Sequence, residues 1–297
     1  MTTEHFDESE SADSSVIKVQ SGSLHTIVRK PSLSGYIRQV FQRRHFIFVD
    51  ATYKAFSEKR DMKMGNAWLL IEPLLQSALY AFAFGLLLGT ARGIDNFVGF
   101  LVIGVTVFGV MNNGLLYGKS TLSSAKSLIS AFVFPRACIV LSQHLRQMYI
   151  SIPSFIVAIL LAYVFQWGKP PSWPLLLVIP FFGLLQAFAL GILFISSRIC
   201  AFSPEIRVFL TVVGRTWFFI SGVFFDLAHR NFGYPWLHHI LMHNPAYLFM
   251  STFRHLILDN SLPSWGTLGE LLAWSFGTLI VGFIIFWTAE ERYSEVV

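Results

Sequence analysis

Charge is what this chain has least of. Asp, Glu, Lys and Arg make up 13% of its 297 residues, against about 25% in an ordinary soluble domain. Cysteine is almost missing. Cys138 and Cys200 are the two present, and neither stands in a Cys-x-x-Cys pair, so no disulfide framework and no thiolate metal site organises the chain. No Ser-His-Asp set, paired carboxylates or acidic metal cluster can be assembled from the sequence, which leaves hydrolytic and metal-assisted chemistry without a carrier. The run from Gly114 to Ser120 ends in Gly118-Lys119-Ser120 like a nucleotide-binding loop. However, Asn113 stands where the first glycine belongs, and an apolar block precedes it instead of a strand, so nucleotide binding there is discounted. His238, His239 and His243 have ligand-like spacing, but no acid lies close by in sequence, and they read as interface histidines.

What the chain has in abundance is long apolar runs. Pro73–Ala91, Asn96–Gly118, Gln147–Gly168, Pro170–Ser197 and Leu271–Ala289 contain no Asp, Glu, Lys or Arg, and Val208–Phe225 contains Arg215 alone. A bilayer core about 30 Å thick takes roughly 20 apolar helical residues to cross. Six such runs make an all-α, polytopic membrane protein with six expected transmembrane helices. Hydrophobic residues reach 54% and aromatics 16%, with 30 Phe, which suits lipid contact and aromatic-lined cavities. The net charge of +5 is read as topology and anionic headgroups, with no nucleic acid involved.

Positive charge falls on alternate sides of these runs: seventeen Lys and Arg on one side, four on the other, with Arg215 inside a run. That bias predicts both termini in the cytoplasm. The first 20 residues are acidic and Ser-rich, with Glu4, Asp7, Glu8, Glu10 and Asp13, and residues 1–30 are expected to be a disordered cytoplasmic tail. Residues 31–64 follow as an interface region, and 65–297 as the transmembrane domain.

Three segments between the runs carry more information. In Ser34–Lys63, Ile37, Val40, Phe41 and Phe48 recur at helical spacing among Arg38, Arg43, Arg44 and Lys54. This predicts a basic amphipathic helix in the membrane interface, with a plain positively charged flank as the alternative. In Lys119–Gln143, Leu122, Ala125, Ile129 and Phe132 form one stripe that ends at Phe134-Pro135-Arg136, where proline stops the helix. The stripe would press on a cytoplasmic partner or pack on its own bundle. In Asp226–Glu270, Pro235 and Pro245 divide an apolar stretch into helices of about 8–13 residues. Such helices are too short to span; they would dip into the membrane and return, or cap the bundle.

Glu72 and Arg215 are the ionisable residues nearest membrane depth, where a charge must face protein or water. Glu72 would pair with an interface Arg or Lys. Arg215 would bind an anionic substrate group or pair within the bundle.

The order of features resembles the membrane subunit of ABC-2-type transporters of the polysaccharide exporter class, which move capsular polysaccharide, O-antigen, teichoic acid or galactan. The residues that carry the resemblance are Met64-Gly65-Asn66-Ala67-Trp68-Leu69-Leu70-Ile71-Glu72-Pro73 at the first run and Phe134-Pro135-Arg136 after the second. They continue with Phe202-Ser203-Pro204-Glu205-Ile206-Arg207 between the fourth and fifth, Phe219-Ile220-Ser221-Gly222 at the end of the fifth, and Asn244-Pro245 followed by Arg254. The resemblance runs from about residue 35 to the C-terminus.

The resemblance implies a permease without catalysis or a cofactor of its own, paired with a second copy of itself. Two ATP-binding cassette subunits on separate chains would supply ATP and Mg. Leu122, Ala125, Lys126, Ile129 and Phe132 would couple to that ATPase. The cargo would be a lipid-linked polysaccharide; the alternatives are an exporter of another amphiphile, a lipid or a drug, and a membrane-embedded transferase. Substrate-path candidates are Arg38, Arg43 and Arg44 for a diphosphate on the lipid carrier, Arg215, and the aromatic wall residues Tyr234, Trp236 and Tyr247 for sugar rings.

Overall fold

The computed structural model describes residues 32–57, 67–80, 82–83, 94–132, 134–166, 170–228 and 233–293, without the side chains of 69, 70, 72, 73 and 77. The tail at 1–30, Met64-Gly65-Asn66, the Glu72 side chain, the far half of the first apolar run, Arg92, Lys169 and Arg230 lie outside the described residues.

Every regular element among the described residues is helical. In chain order these are α1 (Leu33–Gln42), α2 (Arg44–Ser57), α3 (Trp68–Tyr80), α4 (Phe97–Thr121), α5 (Lys126–Ala131), α6 (Ala137–Val164), α7 (Val178–Phe202), α8 (Ile206–Ile220), α9 (Pro235–Met242), α10 (Pro245–Ile257) and α11 (Trp265–Thr288). Four of them are long and apolar enough to cross a bilayer: α4, α6, α7 with its leading 3₁₀ turn from Trp173, and α11. Helix α8 has 15 residues, about 22 Å at 1.5 Å per residue, short of the hydrocarbon thickness. The run expected to end at Phe225 leaves the helix at Ser221, because Gly222 takes φ +75, a left-handed geometry that costs glycine little. Helices α9 and α10 are likewise too short to span, at 8 and 13 residues.

Helix α4 is the axis of the bundle. It is the most enclosed of the four long helices, with 67% of its most apolar stretch buried, against 17% for α6 and 22% for α11. It packs on α6, α7 and α10, while α7 packs in turn on α11. Small residues permit the closest crossings. A Cβ on Gly191 of α7 would lie 2.5 Å from the Thr278 carbonyl carbon of α11, and one on Gly282 of α11 would strike the Gly191 carbonyl. With lipid as the solvent, backbone proximity of this kind replaces the hydrophobic drive for helix association. Asn96 caps α4 by accepting from the Gly99 N–H at 2.8 Å and also donates to the Ala162 carbonyl at 2.8 Å, tying the α4 start to the α6 end.

The interface region differs from the single helix expected over 34–63. The chain breaks at Arg43 into α1 and α2. Helix α2 lies along α6 and buries Ala51 and Ala55, while Ile37, Phe41, Phe48 and Phe56 stay exposed beside the basic residues. An exposed apolar row flanked by arginines is the pattern of a helix lying in a membrane interface.

Candidate functional site

Among the described residues, two polar assemblies stand at opposite ends of the bundle. At one end stand α1, α2, α5 and the C-terminal 3₁₀ turn Glu290–Arg292. Helix α4 runs on to Thr121, a 3₁₀ turn covers Ser123–Ala125, and α5 is stopped before Phe134-Pro135-Arg136. The stripe within this segment turns inward. Leu122, Ala125 and Ile129 are buried in a cluster with Tyr36, Phe134, Ala137, Cys138, Ala201, Phe286 and Tyr293. Lys126 and Phe132 are exposed on the other face, Phe132 at 62%. Of the five residues expected to couple to an ATPase, three are therefore buried against the bundle and two are exposed.

A buried polar node holds this end together. Tyr36 of α1 donates to Glu290 Oε2 at 2.7 Å. The Arg136 backbone N–H donates to Glu290 Oε1 at 2.7 Å, and the Arg136 guanidinium stands 3.5 Å from the same oxygen. The Ala137 N–H donates to the Tyr36 hydroxyl at 3.1 Å, satisfying the first turn of α6. Burial pushes the Glu290 carboxyl up from its ordinary range, opposed by the Arg136 and Tyr36 donors. Burial first, and then the Glu290 charge, hold the Tyr36 phenol well above its ordinary range, so it remains a donor. Nothing in the sequence pattern singled out Tyr36 or Glu290. The available signal was a pair of acids, Glu290 and Glu291, directly after an apolar run.

Arg38, Arg43 and Arg44 are exposed on α1 and at the α1–α2 break. Arg43 stands 5.8 Å from the Phe134 ring centre and Arg44 4.8 Å from that of Phe41. Arg215 is exposed on α8 and does not sit in the node.

At the opposite end three of the motifs meet. Asn244 accepts from Trp217 Nε1 at 2.9 Å and from the Ala246 N–H at 3.1 Å, and donates to Ser221 Oγ at 2.9 Å. Arg254 is buried on α10. Its Nε donates to the Phe100 carbonyl at 3.1 Å, Nη1 to Gly222 at 3.1 Å and Nη2 to Val223 at 3.0 Å, with its guanidinium 3.3 Å from the Phe100 ring centre. A Cβ on Gly104 would collide with that guanidinium. Arg254 thus locks the turn after α8 to α4 and α10, a role that motif order alone did not reveal.

Beside this lock is a cavity of about 520 Å³ lined by Asp95, Asn96, Gln166, Asp226, Tyr247 and Arg254, among others. Tyr247 is buried and lines it, whereas Tyr234 and Trp236 are each 63% exposed, 6.5 Å apart, outside it. The wall expected from these three aromatics is therefore split between a cavity and a surface pair. His239 and His243 stack at 4.2 Å, and His243 faces Glu270 at 3.7 Å. Among the described residues no group of three metal-ligating side chains converges.

No family model matches the sequence. Similarity to curated proteins is extensive. The chain is 24% identical over 238 residues to the O-antigen export system permease protein RfbA of Klebsiella pneumoniae, covering 78% of this chain and 87% of that one. It is 22% identical over 269 residues to the protein of the same name in Myxococcus xanthus, covering 87% of this chain and 98% of that one. A second Klebsiella pneumoniae permease of that name is 23% identical over 239 residues. These similarities support the resemblance to polysaccharide-exporter permeases drawn from motif order, and with four membrane-capable helices they support a membrane transport subunit.

Proposed function

We propose that this chain is the permease subunit of an ABC exporter that moves a lipid-linked polysaccharide from the cytoplasm across the inner membrane. The observation that carries the reading is similarity along 87% of the chain, and 98% of the relative, to an O-antigen export permease. Two copies form the conduit, and each engages a separate ATPase subunit that holds ATP and Mg.

In this reading the bundle has six spans. Helices α4, α6, α7 and α11 are four of them; α3 with its continuing apolar run, and α8 with the turn locked by Arg254, are the other two. Helices α9 and α10 are the re-entrant pair on the outer side. The seventeen-to-four distribution of positive charge supports both termini lying in the cytoplasm.

The ATPase seats on the exposed face of the 119–134 segment, which presents Lys126, Ser127, Ser130 and Phe132. Leu122, Ala125 and Ile129 then act as the rigid backing that carries force inward. The path continues through the Phe134-Pro135-Arg136 turn into Glu290 and Tyr36, so movement at the ATPase reaches α1, α6 and the C-terminal turn together. Arg38, Arg43 and Arg44, exposed beside an apolar row, face the headgroup layer where a lipid-linked cargo arrives. Tyr234 and Trp236 offer ring faces to the sugar at the other end. Arg215, exposed on α8, offers its charge to an anionic group of the substrate.

Co-purification tests this. Tagged chain expressed with its companion ATPase retains that subunit through detergent extraction. Phe132→Asp reduces the retained ATPase at least tenfold while leaving the chain itself monodisperse. An ATPase-free preparation under all conditions, or full retention by the Phe132 variant, contradicts the reading.

A further inference from the structure

A second, smaller pocket lies at the end of the bundle that carries α5. It measures about 160 Å³ and is bounded by Gly118 and Lys119 of α4, Ser123, Lys126 of α5, Ser197 of α7 and Arg207 of α8. Three cations and, among the described residues, no carboxylate contribute to its wall. Its recess is Ser197, 1% exposed, whose Oγ has no hydrogen-bond partner among the described residues. The Arg207 Nε is also buried without a partner. Lys119 spends one of its three N–H groups on Thr211 Oγ1 at 2.7 Å, leaving two. A buried hydroxyl and a buried guanidinium N–H without acceptors cost free energy unless a ligand supplies the acceptors.

We propose that this pocket binds a phosphoryl group, either a phosphate monoester or a diphosphate. Concentrated positive charge with no internal counter-ion favours a multiply charged anion over a single carboxylate. Arg207, Lys119 and Lys126, with the Ser197 and Ser123 hydroxyls, offer converging donors to several terminal oxygens. The pocket is too small for a nucleoside triphosphate, consistent with the broken glycine-loop pattern that ends in Gly118-Lys119-Ser120. It also differs from the open surface at Arg38, Arg43 and Arg44, because its walls come from four helices and the 3₁₀ turn between α4 and α5. It lies where α4 and α7, both membrane-capable, reach their ends, which is the depth of a lipid headgroup. The assignment of that phosphate to a lipid deepens the exporter reading and rests on it, since a free phosphate has the same chemistry.

The test is native mass spectrometry of the full chain in detergent, titrated with phosphatidic acid, phosphatidylcholine and inorganic diphosphate. Phosphatidic acid is expected to bind at least tenfold more tightly than phosphatidylcholine. Arg207→Gln and the exposed Lys126→Gln each weaken that binding about tenfold, and Ser197→Ala weakens it by a smaller factor. Lys126→Gln, which removes no buried contact, keeps the result interpretable if the Arg207 variant fails to fold. Displacement of phosphatidic acid by inorganic diphosphate supports the pocket with a free anion as occupant. Failure of that displacement, with the variant losses intact, supports a lipid-borne phosphate. Equal binding of the two lipids, or affinities unchanged within twofold in both charge variants, overturns the proposal. Phosphoryl binding without a co-purifying ATPase would keep this site and defeat the exporter reading; the reverse pattern would do the opposite.

Discussion

Tyr36 and Glu290, separated by 254 positions, are joined by a 2.7 Å hydrogen bond in the interior. Through it the interface helix α1 is fastened to the C-terminal turn, and Arg136 on the other carboxylate oxygen adds the turn that follows α5. These contacts tie α1, the turn after α5 and the C-terminal turn into one packed body.

Removing the hydroxyl should loosen that body. Tyr36→Phe leaves Glu290 Oε2 and the Ala137 N–H without their partner, at a cost of about 1–3 kcal/mol for buried polar groups. Thermal unfolding in detergent should show a lowered midpoint. Phe283, whose ring centre lies 6.2 Å from that of Tyr36, offers a control, because Phe283→Leu alters packing around the ring and keeps the hydrogen bond. An unchanged midpoint in Tyr36→Phe contradicts the node.

The same carboxylate predicts a pH dependence. Burial raises the Glu290 carboxyl in the fold above its value in the unfolded chain. Between those two values the folded state binds more protons than the unfolded one. Its contribution to stability is fully present below the ordinary carboxylate range and is lost as pH rises through the raised value. The wild-type midpoint should therefore fall with rising pH across that window, and Glu290→Gln should flatten the slope. An identical slope in both proteins assigns the dependence to another group.

Arg254 should prove irreplaceable by lysine. One ammonium cannot reproduce the three fixed directions toward Phe100, Gly222 and Val223. Arg254→Lys should cost about 2 kcal/mol or more, from carbonyls left unpaired. Gly104→Ala should act through the same contact, since its methyl displaces the guanidinium. The double variant should lose less than the sum of the two singles. Strict additivity in thermal unfolding contradicts the coupling.

At the α7–α11 crossing, Gly282→Val should separate two backbones that touch at Gly191. Overpacking of this kind costs about 1–3 kcal/mol. Cysteine cross-linking between the two helices, with the native Cys138 and Cys200 removed, reads the separation directly: the valine variant should cross-link more slowly, and an equal rate contradicts a close crossing.

Much of the helical architecture was legible in the sequence, because a bilayer demands long charge-free runs and four of the six coincide with membrane-capable helices. Proline also announced its breaks, at Pro135 and at the Asn244-Pro245 start of α10. Which way a stripe faces was not legible. Leu122, Ala125 and Ile129 have the spacing of a docking face and equally that of a buried one, and the cluster around Tyr36 and Tyr293 decides for burial. The end of α8 at Ile220 was hidden because Ser221 and Gly222 are apolar enough in context to extend a hydropathy run, while the turn is held by Arg254 from 32 positions away. The Tyr36–Glu290 contact was hidden for the same reason, since pairings across so many residues leave no local pattern.

We propose that a separate ATPase moves a lipid-linked polysaccharide through this chain. Inverted inner-membrane vesicles loaded with that glycan on their outer face test it most directly. With the chain and its ATPase present, ATP should carry the glycan into the lumen, where an added glycosidase no longer reaches it, and vesicles lacking the chain should leave it exposed. Equal ATP-dependent protection with and without the chain would mean that the glycan crosses by another route.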